Sequence, residues 1–531
     1  MARRMNATFA PLRHPAFRML WLANLASNTG MWVQSTGAGW LMTSLDPSAV
    51  MVSLVQAASL LPVFLLALPA GAVADLVDRR RVLIGAQLWM CVFGLLLAGL
   101  TWAGSLGPWG LLALTFAIGA GSAVNFPAWA AVTPELVPRG DLPQAIVLNG
   151  IGFNLTRAVG PALGGLMIGF AGPEAAFFFN ALTFFVLIAA LIAWRRPPDR
   201  QGRGEHLLSA IRAGVRFVVA APAMRAAIAR AIAFFFFGSA VWGLLPLLVR
   251  QQLGLGPEAF GLMLGAMGVG AVAGGFAMPL ARARLDRGGV VLAGSLLAGA
   301  SLILLGLSHH WLPAALALLA YGVAWIAGAS SLQAAAQFAA PAWVRARAIG
   351  IYQVSFFGAL AAGSALAGWL GAVAGLPLAL GLFGAGAIVA GVAVRGFTLE
   401  GSAAPAAPPG APLPQPEAPA AELSPVLRGE SGRVLEVVRY TVRAGEREAF
   451  FAAMEEVRRV RLRAGAIVWR LYEDVAHPAR FVELWAVESW AEHLREQKRL
   501  EPGDVAALAE AARFHAGEGP PEAARYLAVR P

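Results

Sequence analysis

Charge is what this chain of 531 residues has least of: Asp, Glu, Lys and Arg make up 13% of it, against 58% hydrophobic residues. Soluble domains carry roughly 25% charge. A water-soluble core cannot absorb so much apolar surface, so lipid is expected as the solvent for most of the chain. Cysteine occurs once, as Cys91 in an apolar run. That excludes a disulfide framework, a thiol pair and a cysteine zinc site. Lysine also occurs once, as Lys498. Acids inside the apolar runs are missing altogether, since Asp46, Asp75, Glu135, Glu174 and Glu258 all fall at ends of runs. No spacing suggests metal ligands or a nucleophile with its base, so no metal, cofactor or catalytic residue is expected. The net charge of +11 does not point to nucleic acid, because the arginines sit between apolar runs, where membrane orientation accounts for them.

Twelve runs are long enough to cross a bilayer: 17–44, 50–74, 82–104, 108–133, 145–170, 174–194, 225–249, 258–281, 289–308, 311–337, 347–373 and 376–397. A crossing helix needs about twenty apolar residues. The N-terminus, with Arg3, Arg4, Arg13 and Arg18, has no short apolar core with a cleavage site and is expected to lead into a retained span. The loops after every second run are basic: Arg79–Arg81, Arg139, the stretch Arg195–Arg225, then Arg282, Arg284, Arg287, Arg345 and Arg347. The alternate loops carry only Arg250. The positive-inside rule therefore predicts both termini in the cytoplasm.

The chain also echoes itself. Ala145–Gly165 recurs without a gap as Ala348–Gly368, and the register carries Pro138 onto Pro341 and Gly119 onto Gly322. Duplication among membrane-length segments is the mark of a secondary transporter built from two halves. The predicted architecture is an all-α membrane protein of two pseudo-symmetric six-helix bundles, 1–194 and 225–397, joined by a cytoplasmic linker, 195–224. Within that linker, Leu207, Leu208, Ile211, Val215 and Val218 have the spacing of an amphipathic helix. An Ala/Pro-rich tether, 398–429, leads to a soluble α+β domain, 430–531. Its order strand–helix–strand–strand–helix–strand is the ferredoxin-like split βαβ pattern.

Two segments carry most of the functional signal. After the second run stands Gly71-Ala-Val-Ala-Asp75-Leu-Val-Asp78-Arg79-Arg80-Arg81. Asp75 near a helix C-terminus lacks favour from the helix dipole and wants a cationic partner. Here the chain resembles the major facilitator superfamily, whose loop signature has a glycine, three residues, an aspartate and then arginines. The resemblance is to the branch of bacterial enterobactin and drug exporters. It implies a charge lock of Gly71, Asp75, Arg79 and Arg80 that holds one access state. Leu76 and Asp78 depart from the commonest form, and Pro279 replaces the acid in the second half, so the lock is expected on one side. The fifth run, with Gly160-Pro161-Ala-Leu-Gly164-Gly165, resembles the core of a second signature of that family, associated with antiporters. Arg157 lies one turn earlier, inside the span, where a charge needs a cavity or a partner. Together with Asn149, Asn154, Asn28, Gln34, Asn125, Gln333 and Gln353, it is a candidate for substrate contact or coupling in a central polar cavity.

The tail segment Phe481-Val-Glu-Leu-Trp485-Ala-Val-Glu-Ser-Trp490-Ala-Glu-His493 resembles dimeric α/β-barrel domains related to antibiotic-biosynthesis monooxygenases. That implies self-association through 430–531, with His477, His493 and His515 as the histidines a catalytic tail would draw on. The expectation as a whole is an outward carrier of a small amphipathic molecule, siderophore-like or drug-like, in a bacterial inner membrane, not an enzyme. Its partners are substrate and lipid. The resemblance implies protons as coupling ion, although no mid-span acid is there to carry them. Uptake by the same fold, or an anchored enzyme acting through the tail, are the alternatives.

Overall fold

In lipid a backbone can satisfy its polar groups only internally, so apolar runs of this length must become helices. The computed structural model describes residues 9–76, 78–138, 140–194, 207–341, 344–399, 414, 416–417, 432–500 and 502–528. The lock residue Asp75 keeps a described backbone only; its side chain, the surroundings of Gly71, and most of the 195–206 and 398–429 stretches lie outside. The helices in order are α1 (Pro15–Leu45), α2 (Ala49–Leu76), α3 (Arg79–Trp102), α4 (Pro108–Val132), α5 (Leu142–Ala193), α6 (Leu207–Ala220), α7 (Pro222–Leu247), α8 (Pro257–Arg282), α9 (Arg287–Leu307), α10 (Trp311–Ala339), α11 (Arg345–Ala374) and α12 (Leu376–Ala393).

Ten helical stretches among the described residues are long and apolar enough to cross a membrane. One of them, α5, is two crossings: Gly172 has φ 84° and ψ 166°, and Pro173 follows. A positive φ of that kind suits glycine alone, and proline suits the first turn of the helix that restarts. The remaining crossing is α1. It has 31 residues, ample for a crossing, and carries the polar residues Asn24, Ser27, Asn28, Thr29, Gln34, Ser35 and Thr36 along its middle. With α5 counted twice, twelve crossing segments stand among the described residues.

The chain divides into two compact units. The first holds Met1–Leu207, Ala227–Ala335 and Gly350–Thr398. Its helices meet at glycines, where no side chain keeps backbones apart, and these contacts repeat with the sequence echo. A Cβ built on Gly119 of α4 would lie 2.7 Å from the Ser59 carbonyl oxygen of α2; on the matching Gly322 of α10 it would strike the Met267 carbonyl of α8. On Gly160 of α5 it would come within 2.5 Å of Trp32 in α1; on the matching Gly363 of α11 it would strike the Phe236 carbonyl of α7. The echo is thus a repeat of packing.

The second unit holds Leu208–Ala226, Ala336–Ile349 and Leu399–Pro531. Its centre is a four-stranded antiparallel sheet in the order β2-β3-β1-β4, from β1 (Val434–Thr441), β2 (Val468–Glu473), β3 (Arg480–Val487) and β4 (Glu522–Leu527). With α13 (Arg447–Ala464), α14 (Trp490–Arg499) and α15 (Pro502–Ala512), it realises the predicted split βαβ order. Inward residues alternate along the strands, and Val438, Tyr440, Phe481 and Trp485 pack on Phe450, Met454 and Val457 of α13.

This core is unusually charged. Glu483 is fully buried. It accepts hydrogen bonds from Arg461 Nε at 3.2 Å, Trp469 Nε1 at 3.1 Å and Tyr440 Oη at 3.1 Å. The Arg461 guanidinium lies 3.6 Å from the centre of the Trp485 ring. Glu436 takes Arg525 Nε at 2.9 Å and has His493 Nδ1 at 2.6 Å. Burial opposes ionisation of Glu436, but His493 and Arg525 outweigh it and hold the carboxyl below its ordinary range. Glu496 is the opposite case. Burial raises it despite Arg461 and Trp485, and its Oε1 has no partner among the described residues.

Two outcomes follow for the tail. Removing one member of a buried ion pair leaves the other uncompensated, so Glu483→Ala should cost about 3–5 kcal/mol, read as lost amide-exchange protection over 434–527 in the full-length protein. For Glu496 the folded value lies above the unfolded one, so its stabilisation is complete below the unfolded value and fades as pH rises through the folded value. Glu496→Gln, whose side chain stays neutral at every pH, should therefore gain stability relative to the wild type as pH rises above the ordinary glutamate range. A pH-independent difference would contradict this.

Candidate transport site

The basic ends of the first unit's helices are tied within each half. Asp78, which departs from the commonest family pattern, caps α3 by accepting from Arg81 N at 3.0 Å. That satisfies a helix-terminal N–H. Arg79 pairs with Glu135 at 2.8 Å. Arg80 donates to the carbonyls of Leu191 and Ile192 at 2.7 and 2.8 Å, at the negative end of the α5 dipole. His14 lies 2.9 Å from Asp141. In the second half Arg230 does the tying. It is 4% exposed and donates to Gly288 and Arg395 carbonyls, at 3.2 and 2.6 Å, joining the ends of α7, α9 and α12. Sequence reading passed over Arg230. Its position eight residues inside a proline-led helix was the available signal.

The opposite ends of the helices are sealed. A Cβ on Gly165 would lie 2.6 Å from Gly261 Cα and 2.6 Å from the Pro257 carbonyl oxygen, so α5 and α8 touch backbone to backbone. The repeat supplies the counterpart: a Cβ on Gly368 of α11 would lie 2.7 Å from the Ala49 carbonyl oxygen of α2 and would strike Ser53. Gly165 and Gly368 are matching positions of the echo. Arg250 adds hydrogen bonds to Thr43 Oγ1 at 2.9 Å and to Ser44, and lies over the Trp40 ring at 5.7 Å. Just inside this seal is a cavity of about 30 Å³, lined among others by Trp32, Gln56, Pro161, Trp242, Pro246 and Phe260. That is room for a water or two, not for a ligand.

Of the predicted site residues, Pro161 lines this cavity, while Gly160, Gly164 and Gly165 serve close packing. Arg157 is one helical turn from Pro161, on the same face, half-buried and within electrostatic reach of Tyr321 on α10. It has no hydrogen bond or ion pair among the described residues. Gln34 is buried and bonded to Asn180. Asn125 accepts from Gln87 at 3.0 Å, Asn149 donates to Thr133 at 3.2 Å, and Asn154 donates to its own helix at Gly150. Those four join helices or cap backbone. Asn28, Gln333 and Gln353 are half-buried. The polar set expected from the sequence is thus dispersed, and the wall near Arg157 is aromatic. Trp32 lies 5.8 Å from Trp242, Trp242 5.8 Å from Trp325, and Trp325 6.0 Å from Tyr321. The Tyr321 hydroxyl donates to the Gly238 carbonyl at 2.6 Å. Tryptophan abundance alone could not reveal that three helices, α1, α7 and α10, bring these rings together.

In the tail, His493 is buried against Glu436, His477 is exposed beside Asp474 at 3.4 Å, and His515 Nδ1 accepts from Thr441 N at 3.0 Å. Burial lowers the His515 pKa. The three are not brought together as a site. No group of three His, Cys, Asp or Glu among the described residues can hold a metal.

A family model described as transmembrane secretion effector matches residues 6–531. The chain belongs to that family. The match runs on through the C-terminal sheet. Among curated relatives, an enterobactin exporter EntS of Escherichia coli O1:K1 / APEC is 27% identical over 385 residues, 71% of this chain and 91% of the relative. The multidrug efflux pump Tap of Mycobacterium bovis BCG is 31% identical over 222 residues, 39% of this chain and 51% of its own length. The staphyloferrin A transporter of Staphylococcus aureus is 26% identical over 160 residues, 30% of this chain and 40% of the relative. Solved structures share the fold. A bacterial homolog of the human lysosomal transporter Spinster, inward-facing and unoccupied, superposes with TM-score 0.55 at 14% identity over 73% of this chain and 95% of its own. A POT family transporter in complex with 5-aminolevulinic acid gives 0.59 at 12% identity over 71% and 95%. The resemblance to major facilitator transporters is borne out.

Substitution at the seal should favour the opposite state. Gly165→Val places branched carbon where only hydrogens fit. Labelling of a cysteine at Gln56, in a Cys91→Ala background, by a membrane-impermeant maleimide is expected to rise several-fold. Unchanged labelling would mean the contact does not close the pathway.

Proposed function

We propose that this protein is an outward carrier for a small amphipathic molecule, working by alternating access in the inner membrane of a bacterium. The observation that carries the reading is the paired seal, Gly165 on α8 and Gly368 against α2. One packing arrangement, used twice by a duplicated chain, lets two halves rock about a midplane site. The number of arginines over the alternate loops supports basic ends that face the cytoplasm, and the glycine seal then lies on the outer side. Both termini are then cytoplasmic. Relatives named as exporters of enterobactin and of multiple drugs support the outward direction and a siderophore-like or drug-like cargo.

The lock of Gly71, Asp75, Arg79 and Arg80 belongs to the same reading. Arg79 and Arg80 already tie α3 to its neighbours, and Asp75 would join them from α2. The proposed organisation is two bundles, 1–194 and 225–397, a linker, 195–224, a tether, 398–429, and a tail domain, 430–531, that serves self-association or regulation and not catalysis. Transport rests with the bundles.

Reconstitution tests this. In proteoliposomes the full chain should move at least one amphipathic cargo from a panel of siderophores and dyes, and a chain ending at residue 397 should keep that activity within a few-fold. Loss of all activity on truncation would favour a tail that acts on the cargo itself. Asp75→Asn should shift the balance between inward- and outward-open forms.

A further inference from the structure

Arg157 is the one charged side chain in the middle of a crossing segment. Arg225 and Arg230 lie near the start of α7 and Arg250 at its far end, and no aspartate, glutamate, histidine or lysine stands mid-span anywhere in the sequence. On the helices packed against α5, namely α1, α3 and α8, the charged groups are terminal: Arg18, Asp46, Arg79–Arg81, Glu258 and Arg282. The remaining titratable group facing Arg157 is Tyr321, which is buried and donates to a backbone carbonyl. A guanidinium held in a low-dielectric interior without an anion is poorly compensated. It is also a planar fork suited to a carboxylate, sulfonate or phenolate. One turn along α5 from Arg157, Pro161 lines the same cavity as Trp32 and Trp242, which are half-buried with Trp325 packed behind them, a wall for a flat ring.

We propose that the cargo is a planar aromatic monoanion paired with Arg157, and that its export is driven by the membrane potential without a counter-moving proton. The inference rests on the carrier reading above and names its substrate class and driving force. The charge balance is simple. Loaded, the mid-membrane site is neutral, since the cargo's charge cancels Arg157, and the outward step moves no net charge. Empty, the site carries one positive charge, and an inside-negative potential pulls it back to face the cytoplasm. One negative charge leaves the cell per cycle. Each 100 mV then supports about a 50-fold gradient. A cation in the same site would face Arg157 and be rejected.

The test uses the full-length chain in vesicles of phosphatidylethanolamine and phosphatidylglycerol, with radiolabelled 2-naphthalenesulfonate as probe, because a sulfonate stays ionised at all working pH. Its partner probe is trimethyl-(2-naphthyl)ammonium. A potassium diffusion potential set by valinomycin, inside positive and without a pH gradient, should accumulate the sulfonate up to about 50-fold per 100 mV, and clamping the potential to zero should abolish it. Arg157→Gln should lose accumulation and saturable quenching of tryptophan fluorescence by the probe. Arg157→Lys, which keeps the charge, should retain potential dependence at weaker affinity, and this rescue separates a charge role from a folding defect. Accumulation driven by a pH gradient at zero potential overturns the proposal, leaving the carrier reading intact. So does preferential movement of the ammonium probe. Absence of saturable quenching in the wild type overturns it as well. Saturable binding with no movement of either probe under either gradient overturns the carrier reading and the proposal together.

Discussion

Backbone contact between helices is the interaction on which the rest depends. In lipid, association gains little from hiding apolar side chains, and close van der Waals approach at small residues takes over. Gly119, Gly160 and Gly165 in the first half are matched by Gly322, Gly363 and Gly368 in the second, and each member of a pair meets the corresponding neighbour. The pairs split into two kinds. Gly119/Gly322 and Gly160/Gly363 hold each half together, α4 on α2 as α10 on α8, and α5 on α1 as α11 on α7. Gly165 and Gly368 reach across, α5 to α8 and α11 to α2. Contacts of the first kind can persist through a cycle while those of the second part and re-form.

Charge is placed with equal economy. At the basic ends, guanidinium groups satisfy helix-terminal carbonyls that have no intrahelical partner, as Arg80 and Arg230 do. At the sealed end Arg250 bridges α1 and α7. Between these layers Arg157 has no hydrogen bond or ion pair among the described residues. The tail domain follows different physics. Ion pairs such as Arg439–Glu522 lie on its exposed surface, yet it buries Glu436, Glu483, Glu496, Arg461 and His493, and such networks favour one arrangement of a core more than they stabilise it.

Much of this was legible in the sequence because its signals are periodic or compositional. Run length gave the spans, arginine placement their alternation, and the echo at Ala145 and Ala348 the pseudo-symmetry now seen in packing. The split βαβ order of the tail was readable from alternation along Val434–Val442 and Arg480–Val487. The site was less legible. Gln34, Asn125 and Asn149 looked like pathway residues but bond to Asn180, Gln87 and Thr133, since a helix-joining amide and a cavity amide have the same sequence signature. The aromatic wall was missed because its rings come from α1, α7 and α10, far apart in the chain. Arg230 and Asp78 took structural roles that only partner carbonyls and a helix start disclose.

Distances at the two ends of the bundle, measured by pulsed electron resonance on a Cys91→Ala background, test the central claim most directly. One spin-label pair belongs at Asp46 and Gln251, by the sealed end, the other at Asp141 and Asp286, by the basic end. Addition of a transported cargo should lengthen the first distance and shorten the second in the same population of molecules. Two distances that stay fixed, or that change with the same sign, would contradict a pair of halves rocking about a shared site.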